Sequence, residues 1–416
     1  MVQLPVTLWE VITNVRPFTF SVQRRRLIKI VAITKDPIAR KKIMQQLGLH
    51  ENLRYDGPLY NSHINTILGG ARLSRRVEYQ RELLDGLDGN PICVDWLQCH
   101  RDSSSPSQKG AVEFPQGLVL VIPGAANTSQ TPYIQRFARL SISRGYNCCI
   151  LTPRGLGSAP VKVPQLTCTT FTDDLRVLLR ERFSKKRIFE DYGRELPLFV
   201  VGYSAGGNTA IKGIAEEQAV LDQYYPSGFP VTCCICMNSP YDMIVSADGI
   251  NSKAGVLFYQ KGMLNTFKRT LRKHRKLIDQ GLKGMSIEES NVDNLIKQMS
   301  TIDNMVLHYI LPHFRYNNME DYYKDGHVPT WIRHIKSFPV VAVAARDDPV
   351  VLYGVTAQNW QDMADAQPNI VYVETSVGGH LGYVLHPVDE WHERPSFLIN
   401  FPFHVIDHYT ASSQGS

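Results

Sequence analysis

Short apolar runs alternate with amphipathic stretches along most of the chain. Six runs are almost wholly apolar, as strands buried on both faces of a parallel sheet require, at 117–122, 147–151, 198–201, 231–237, 340–345 and 370–374. Four stretches between or after them have helical spacing, at 132–144, 172–183, 207–221 and 353–366. Strands that alternate with helices predict a mostly parallel sheet with helices on both faces.

The pattern also predicts how the chain is organised. Two further strand-like runs, 77–84 and 92–99, flank a turn rich in Gly and Asp, which is typical of a hairpin and raises the predicted count to eight strands. The alternation stops between residues 241 and 337, where the sequence is helix-rich, charged and aromatic, so we expect a helical cap inserted into the core. The predicted units are an N-terminal arm (1–70), the first part of the core (71–240), the cap (241–337), the second part of the core (338–410) and a disordered tail (411–416).

Composition and charge narrow the class of protein. Hydrophobic residues make up 43% of the 416 residues and charged residues 20%, which suits a globular protein with a substantial core. The net charge of +6 is mildly basic, but no zinc-finger spacing or RNP-like signature is present, so we expect no nucleic-acid partner. Neither a signal peptide nor a run of about 18 apolar residues is found, so we expect an intracellular monomer whose membrane contact is at most peripheral.

The cysteines are consistent with a reducing compartment. Five of the eight are clustered as Cys148-Cys149 and Cys233-Cys234-x-Cys236 inside predicted strands, where neighbouring side chains point apart and do not pair easily. We expect buried free thiols. Because no Cys-x-x-Cys pair is followed by histidines at zinc spacing, we expect neither a metal nor another cofactor.

The candidate nucleophile is Ser204, in the segment GYSAGGN at 202–208. The segment follows the apolar run LFVV and precedes a helical stretch, which is the context of a nucleophile elbow. Such a tight strand-to-helix turn needs small residues on both sides of the serine. A serine hydroxyl attacks an ester only when a base takes its proton, and a carboxylate must hold that base in place.

The candidate base and acid follow late strands of the predicted sheet. His380 lies in GGHLG just after the run 370–374, where its small neighbours leave the imidazole free to reach the serine. Asp347 and Asp348 both follow the run 340–345, and either carboxylate is a candidate acid. We choose Asp348 as the acid and expect Asp347 to cap or brace a loop.

An oxyanion hole needs two backbone N–H groups that point at the carbonyl oxygen, where negative charge develops during the attack. Ala205, which directly follows the nucleophile, is the first predicted donor. The second should come from the loop PGAAN at 123–127, where Ala125 is our choice and Ala126 the alternative.

These motifs together resemble one branch of a known superfamily. The chain resembles the YheT-like α/β-hydrolases, which include eukaryotic α/β-hydrolase-domain lipases and fungal medium-chain ethyl-ester synthases. The resemblance is carried, in order, by NSHINTI (61–67), YQRE (79–82), DGN (88–90), PRGLG (153–157), DDLR (173–176), GYSAGGN (202–208), MEDYY (319–323), ARDDP (345–349) and GGHLGY (378–383). It implies an α/β-hydrolase fold, a Ser204–Asp348–His380 triad and cleavage of acylglycerol, phospholipid or medium-chain acyl esters through an acyl-enzyme. Acyl transfer to an alcohol and a non-catalytic binding module are the alternatives.

The predicted cap contains one amphipathic stretch with two interpretations. Between residues 261 and 284 the apolar positions Leu264, Phe267, Leu271 and Ile278 recur near helical spacing, and Lys and Arg residues occupy the opposite face. Such a helix either lies on an anionic bilayer or packs on the core as a lid with its charges in water.

Overall fold

The computed structural model describes residues 25–57, 61–99, 115–284, 291–352 and 354–414. One ten-stranded sheet runs through this part of the chain, in the order β2-β1-β10-β9-β8-β7-β5-β6-β4-β3. Its strands are β1 (Arg25–Ala32), β2 (Arg54–Asp56), β3 (Gln80–Asp85), β4 (Pro91–Leu97), β5 (Gly117–Ile122), β6 (Tyr146–Thr152), β7 (Leu198–Tyr203), β8 (Val231–Met237), β9 (Val340–Ala345) and β10 (Ile370–Thr375). The six central strands, β10-β9-β8-β7-β5-β6 in sheet order, pair in parallel. The outer strands, β1 and β2 on one side and β4 and β3 on the other, pair antiparallel.

The two faces of the sheet form two separate apolar cores. Alternate residues of β5 enter different cores, with Leu118 and Leu120 in one and Val119 and Val121 in the other. The described helices before β8 are Pro37–Leu47, Ser62–Gly70, Pro132–Ser143, Asp173–Phe183, Lys185–Tyr192, Ala205–Gln218 and Leu221–Tyr224. After β9 come Ala357–Ala366, Pro387–Trp391 and Phe397–Gln414. The apolar runs predict this doubly covered sheet, because strands covered by helices on both faces need apolar residues at every position. The architecture is the α/β-hydrolase fold that the family resemblance implies.

The predicted count of eight strands is wrong, because the chain ahead of the predicted hairpin supplies two more. β1 pairs antiparallel with β10, and β2 pairs antiparallel with β1. β1 reads RRLIKIVA, and its buried positions are interrupted by exposed ones such as Lys29, as in a strand near the edge of a sheet. Residues 1–24 of the predicted arm lie outside the described residues.

Two predicted boundaries near the C-terminus also differ. The last helix continues through residues 411–414, which were predicted to be a disordered tail. Within this last turn, the hydroxyls of Ser412 and Ser413 donate to the carbonyls of His408 and Tyr409 one turn earlier. Tyr353, the predicted start of another helix, lies outside the described residues, and that helix begins at Ala357.

The segment between β8 and β9 is helical, as the predicted cap requires. Its described elements are Met243–Asn251, Lys261–Lys273, Arg275–Gly284, Val292–Gln298, Ile302–Met305, Leu311–Phe314, Met319–Asp325 and Val328–Ile332, with π-helical turns at Gly255–Gln260 and Val306–Ile310. They share an apolar cluster of their own that includes Leu271, Ile278 and Tyr309. No helix in the described part of the chain combines the length and apolar character needed to cross a bilayer.

Candidate active site

Ser204 occupies a sharp turn between β7 and the helix Ala205–Gln218. Its backbone has φ 50° and ψ −129°, a strained conformation for a residue with a side chain. The flanking glycines permit the turn: a Cβ on Gly206 would lie 2.2 Å from the Ile122 carbonyl oxygen, and one on Gly207 would lie 1.9 Å from Ser239 Oγ. The predicted elbow is therefore present, and it holds the Ser204 side chain at the carboxyl end of the parallel strands.

The structure brings the three predicted triad residues into one hydrogen-bonded chain. Ser204 Oγ lies 2.9 Å from His380 Nε2, and His380 Nδ1 lies 2.9 Å from Asp348 Oδ2. The other carboxylate oxygen of Asp348, Oδ1, accepts the N–H groups of Val350 and Val351 at 2.9 and 3.1 Å. Burial alone would raise the pKa of Asp348, but the charge and hydrogen bonds of its partners, His380 first, hold this pKa below its usual value.

Asp347 has the bracing role that was expected of it. Its Oδ1 accepts the N–H groups of Gly378 and Gly379 at 2.8 and 2.9 Å. Those bonds fix the start of the loop that carries His380, while the carboxylate itself makes no hydrogen bond to the imidazole. Burial raises the pKa of the Asp347 carboxyl group. Asp348, rather than Asp347, is thus the carboxylate behind the histidine.

Both predicted oxyanion donors lie at the wall of the Ser204 cavity. Ala205 is the first residue of its helix, so its N–H has no acceptor within that helix. Ala125 and Ala126 line the same cavity from the loop after β5. A Cβ on Gly124 would lie 3.1 Å from Ser204 Cβ, so glycine lets this loop approach the nucleophile. The choice of Ala125 over Ala126 as the second donor stays a prediction.

Two supporting residues were missed by the reasoning from sequence. Asn238, just after β8, donates its amide N–H to Asp348 Oδ2 at 3.0 Å and to the Gly379 carbonyl at 3.2 Å. Thr66, from the helix Ser62–Gly70, accepts the backbone N–H of His380 at 2.8 Å. Thr66 belongs to the motif NSHINTI that carried the family resemblance, but nothing local to that motif indicates contact with a histidine more than 300 residues away.

Ser204 and His380 open into a large cavity beneath the cap. The cavity has a volume of about 580 Å³, and most of its lining is apolar. A smaller inner pocket of about 150 Å³ adjoins it, and eight residues line both: Ala125, Ala126, Thr169, Ala205, Met263, Ile302, Met305 and Tyr322. The inner pocket extends past both predicted oxyanion donors, and its further lining is mostly apolar, including Leu166 and Phe267, with Arg154 and Asp174 among its polar residues.

The amphipathic stretch of the cap packs as a lid. Leu264, Leu271 and Ile278 are 5% exposed or less, and Phe267 contacts the apolar cluster of the cap. The basic residues on the opposite face, such as Arg269 and Arg272, are exposed. The apolar stripe is therefore already buried against protein, which contradicts insertion of this stripe into a bilayer.

The cysteines are the other nucleophilic side chains to consider near this site. All eight cysteines are free, and those of β6 and β8 are buried as predicted. Burial raises the pKa of the Cys168 thiol, which lines the inner pocket, to about 11. Among the described residues, no group of three or more His, Cys, Asp and Glu side chains is arranged to hold a metal ion.

Comparison with known proteins gives relatives with related sequences, although no protein-family model matches the chain. Embryogenesis-associated protein EMB8 of Picea glauca is 24% identical over 330 residues, covering 78% of this chain and 65% of that protein. Phospholipase ABHD3 of Homo sapiens is 22% identical over 313 residues, covering 74% and 67% of the two chains. Monoacylglycerol lipase of Saccharomyces cerevisiae is 24% identical over 271 residues, covering 64% and 54%.

The chain thus spans about two thirds or less of the length of these relatives. Among solved structures, the esterase Pf2001 of Pyrococcus furiosus is similar with a TM-score of 0.43 and 14% identity, over 78% of this chain and 92% of that esterase. Taken with the order of the motifs along the chain, these relatives show that the chain is similar to eukaryotic α/β-hydrolase lipases.

Proposed function

We propose that this protein is a serine hydrolase that cleaves carboxylic esters of lipid-like molecules. The observation that carries the proposal is the continuous chain of hydrogen bonds from Ser204 through His380 to Asp348, at the wall of a mostly apolar cavity. A non-catalytic binding module has no need of a complete triad at hydrogen-bonding distances. The geometry therefore supports an enzyme over that alternative.

The reaction follows from the roles of the three side chains. With its Nδ1 proton held by Asp348, His380 accepts the Ser204 hydroxyl proton at Nε2 as the oxygen attacks the ester carbonyl. The N–H groups of Ala205 and Ala125 stabilise the resulting oxyanion. As the tetrahedral intermediate collapses, the imidazolium returns its proton to the departing alkoxide, and the acyl group stays on Ser204. Water then attacks this ester with His380 again as the base, which releases the carboxylic acid.

The cavity and the relatives support a lipid-like substrate. An acyl chain bound in the inner pocket would extend past Ala205 and Ala125, the residues proposed to bind the carbonyl oxygen, and would contact mainly apolar side chains. The wider cavity then receives the alcohol portion of the ester. Relatives named a phospholipase and a monoacylglycerol lipase support acylglycerols and phospholipids as the substrate class.

The site of action is part of the same proposal. A lipid substrate resides in membranes, so we infer peripheral contact with a lipid surface. The eight free cysteines support a reducing compartment, because persistent disulfides form mainly in oxidising ones. We expect the chain to act as a monomer.

The test is labelling and turnover of the Ser204→Ala variant. We expect it to lose fluorophosphonate labelling and to hydrolyse p-nitrophenyl esters about a million-fold more slowly, a loss typical of a removed triad serine. Ser246→Ala is the matched control, because Ser246 lines the same cavity but its hydroxyl donates to the Val351 carbonyl instead. Labelling that persists in Ser204→Ala and disappears in Ser246→Ala would refute the assignment. The ratio of acid to ester product with added alcohol separates hydrolysis from acyl transfer.

A further inference from the structure

Ten of the sixteen exposed large apolar side chains of the described residues lie on or beside segments that line the active-site cavity or an adjoining groove. Six lie on segments that line the active-site cavity: Ile67, Ile244, Val256, Leu257, Leu307 and Leu352. Four more lie in or beside an adjoining groove: Leu68, Leu73, Val388 and Trp391. Elsewhere in the described residues the exposed large apolar side chains are Leu27, Ile38, Leu83, Leu87, Phe189 and Tyr224. Such a concentration of exposed apolar residues usually marks an interaction surface.

The groove holds the two most exposed apolar side chains of this region. Trp391 is 79% exposed and Leu73 is 75% exposed, and both line a depression of about 670 Å³ together with Leu68 and Pro387. A tryptophan is costly to leave in water, and its amphipathic ring favours the boundary between lipid headgroups and acyl chains. We refer to this depression as the Trp391 groove.

Arginines give the Trp391 groove an excess of positive charge. Arg72 and Arg136 share one carboxylate, Glu390, at 3.3 and 2.6 Å, and both guanidinium groups are almost completely buried. The Arg72 Nη1 atom is buried without a hydrogen-bond partner. Arg75 adds an exposed positive charge at the rim, since its side chain is 81% exposed. Its guanidinium group is paired only at long range, with the Glu393 carboxylate 4.0 Å away. The groove is therefore complementary to a negatively charged surface.

The groove and the active-site cavity lie on two sides of the helix Ser62–Gly70. Ile67 and Gly69 of this helix line the cavity, and Leu68 lines the groove. The same helix provides Thr66 to the backbone of His380. A surface bound at the groove would therefore be next to the mouth of the cavity.

We propose that the Trp391 groove docks the protein on an anionic lipid surface, with Trp391 and Leu73 entering the headgroup region and Arg75 facing lipid phosphates and carboxylates. This proposal rests on the proposed function, because it explains how an ester leaves the bilayer for the Ser204 cavity. In this proposal the Trp391 groove contacts the membrane, because the apolar stripe of the cap is already buried against protein.

The test measures co-sedimentation of the full chain with vesicles of phosphatidylcholine alone or mixed with phosphatidylserine. We expect binding only to the mixed vesicles, and weaker binding at high salt because exposed charges are screened. Trp391→Ala should weaken this binding about tenfold, as loss of a large apolar contact predicts. Arg75→Glu should weaken it by a similar factor. Phe189→Ala is the matched control, because Phe189 is an aromatic residue that is 57% exposed outside this region.

Three outcomes would overturn the proposal. They are equal binding by wild type and Trp391→Ala, equal binding to both kinds of vesicle, and a dimer in solution that Trp391→Ala converts to a monomer, which would assign the groove to a second copy of the chain. Hydrolysis of a short soluble ester keeps the two proposals separate. Trp391→Ala should retain this activity while binding vesicles more weakly, and Ser204→Ala should lose the activity while binding vesicles like wild type.

Discussion

Replacing Asp348 with asparagine keeps the shape of the side chain but changes what it can accept. Oδ1 accepts two backbone N–H groups, from Val350 and Val351, while Oδ2 accepts from Asn238 and His380. An amide has only one oxygen. If that oxygen keeps the two backbone N–H groups, the new NH₂ group faces the side-chain donors of Asn238 and His380. The imidazole must then turn its unprotonated nitrogen toward the amide, which leaves the proton on Nε2.

That tautomer cannot take the proton of Ser204, and this sets the expected loss. A neutral amide behind the histidine of a serine protease lowers kcat by about 10⁴-fold for this reason, which corresponds to about 5.4 kcal/mol in the activation free energy. We expect a loss of the same order for Asp348→Asn. Substrate binding should change little, because Asp348 is 6% exposed and does not line the active-site cavity.

Asp347→Asn is the internal control, since a single oxygen of Asp347 accepts both glycine N–H groups. The amide oxygen of asparagine can keep both bonds. Burial already raises the pKa of Asp347, so the neutral amide removes a charge that the site solvates poorly. We expect kcat to fall by less than about tenfold, in line with the modest net energy of neutral hydrogen bonds.

The assay is steady-state hydrolysis of a short p-nitrophenyl ester by both variants at pH 7 to 9, with circular dichroism to verify folding. We expect kcat for Asp348→Asn to be at least a hundredfold below that of Asp347→Asn at equal KM. If the two asparagine variants lose activity equally, or if Asp347→Asn is the weaker enzyme, the carboxylate that orients His380 has been misidentified.

Three other predictions test the supports of the site, its pocket and the stability of the fold. Thr66→Val removes the acceptor of the His380 backbone N–H and should lower kcat about tenfold, with Thr66→Ser retaining activity. Met263→Trp fills the junction of the two pockets, so kcat/KM should fall by about tenfold or more for long-chain esters and remain near wild type for acetate. Burial would raise the pKa of Glu217, but Arg180 and its other partners hold that pKa below its usual value. Its carboxylate therefore stabilises the fold above the unfolded pKa of about 4.3, and this stability is lost as pH falls through the lower folded value. In chemical denaturation, Glu217→Gln should be less stable than wild type at pH 7, and the difference should shrink toward pH 3.

The sequence predicts the centre of the sheet well and its margin poorly. A strand buried on both faces, such as β5, must be apolar throughout, and a run of this length that ends at a turn favours a strand over a helix. β1 has no such signature. Charged residues such as Arg25 and Lys29 interrupt its apolar positions, and its pairing with β10 joins residues about 345 apart in the sequence, so only the folded chain reveals it.

The same distinction holds within the site. The sequence indicates Ser204 as the candidate nucleophile because its turn restricts the residues beside it. It indicates His380 as the candidate base because this histidine follows a strand inside a glycine-rich loop. Asn238 and Thr66 have no local signal of this kind. Asn238 adopts φ 50°, which asparagine tolerates better than most residues, but its contacts with Asp348 depend on strands distant in sequence.

The helix Ser62–Gly70 and strand β1 together limit how far the chain can be shortened from its N-terminal side. A protein trimmed to begin at residue 71 would retain every residue of the proposed triad, yet it would lack Thr66 at His380 and would leave the edge of β10 without β1. An uncovered strand edge of this kind promotes self-association. Shortened versions of the chain should therefore begin no later than Arg25, because the segment before the hairpin covers the edge of β10 and contacts the backbone of the candidate base His380.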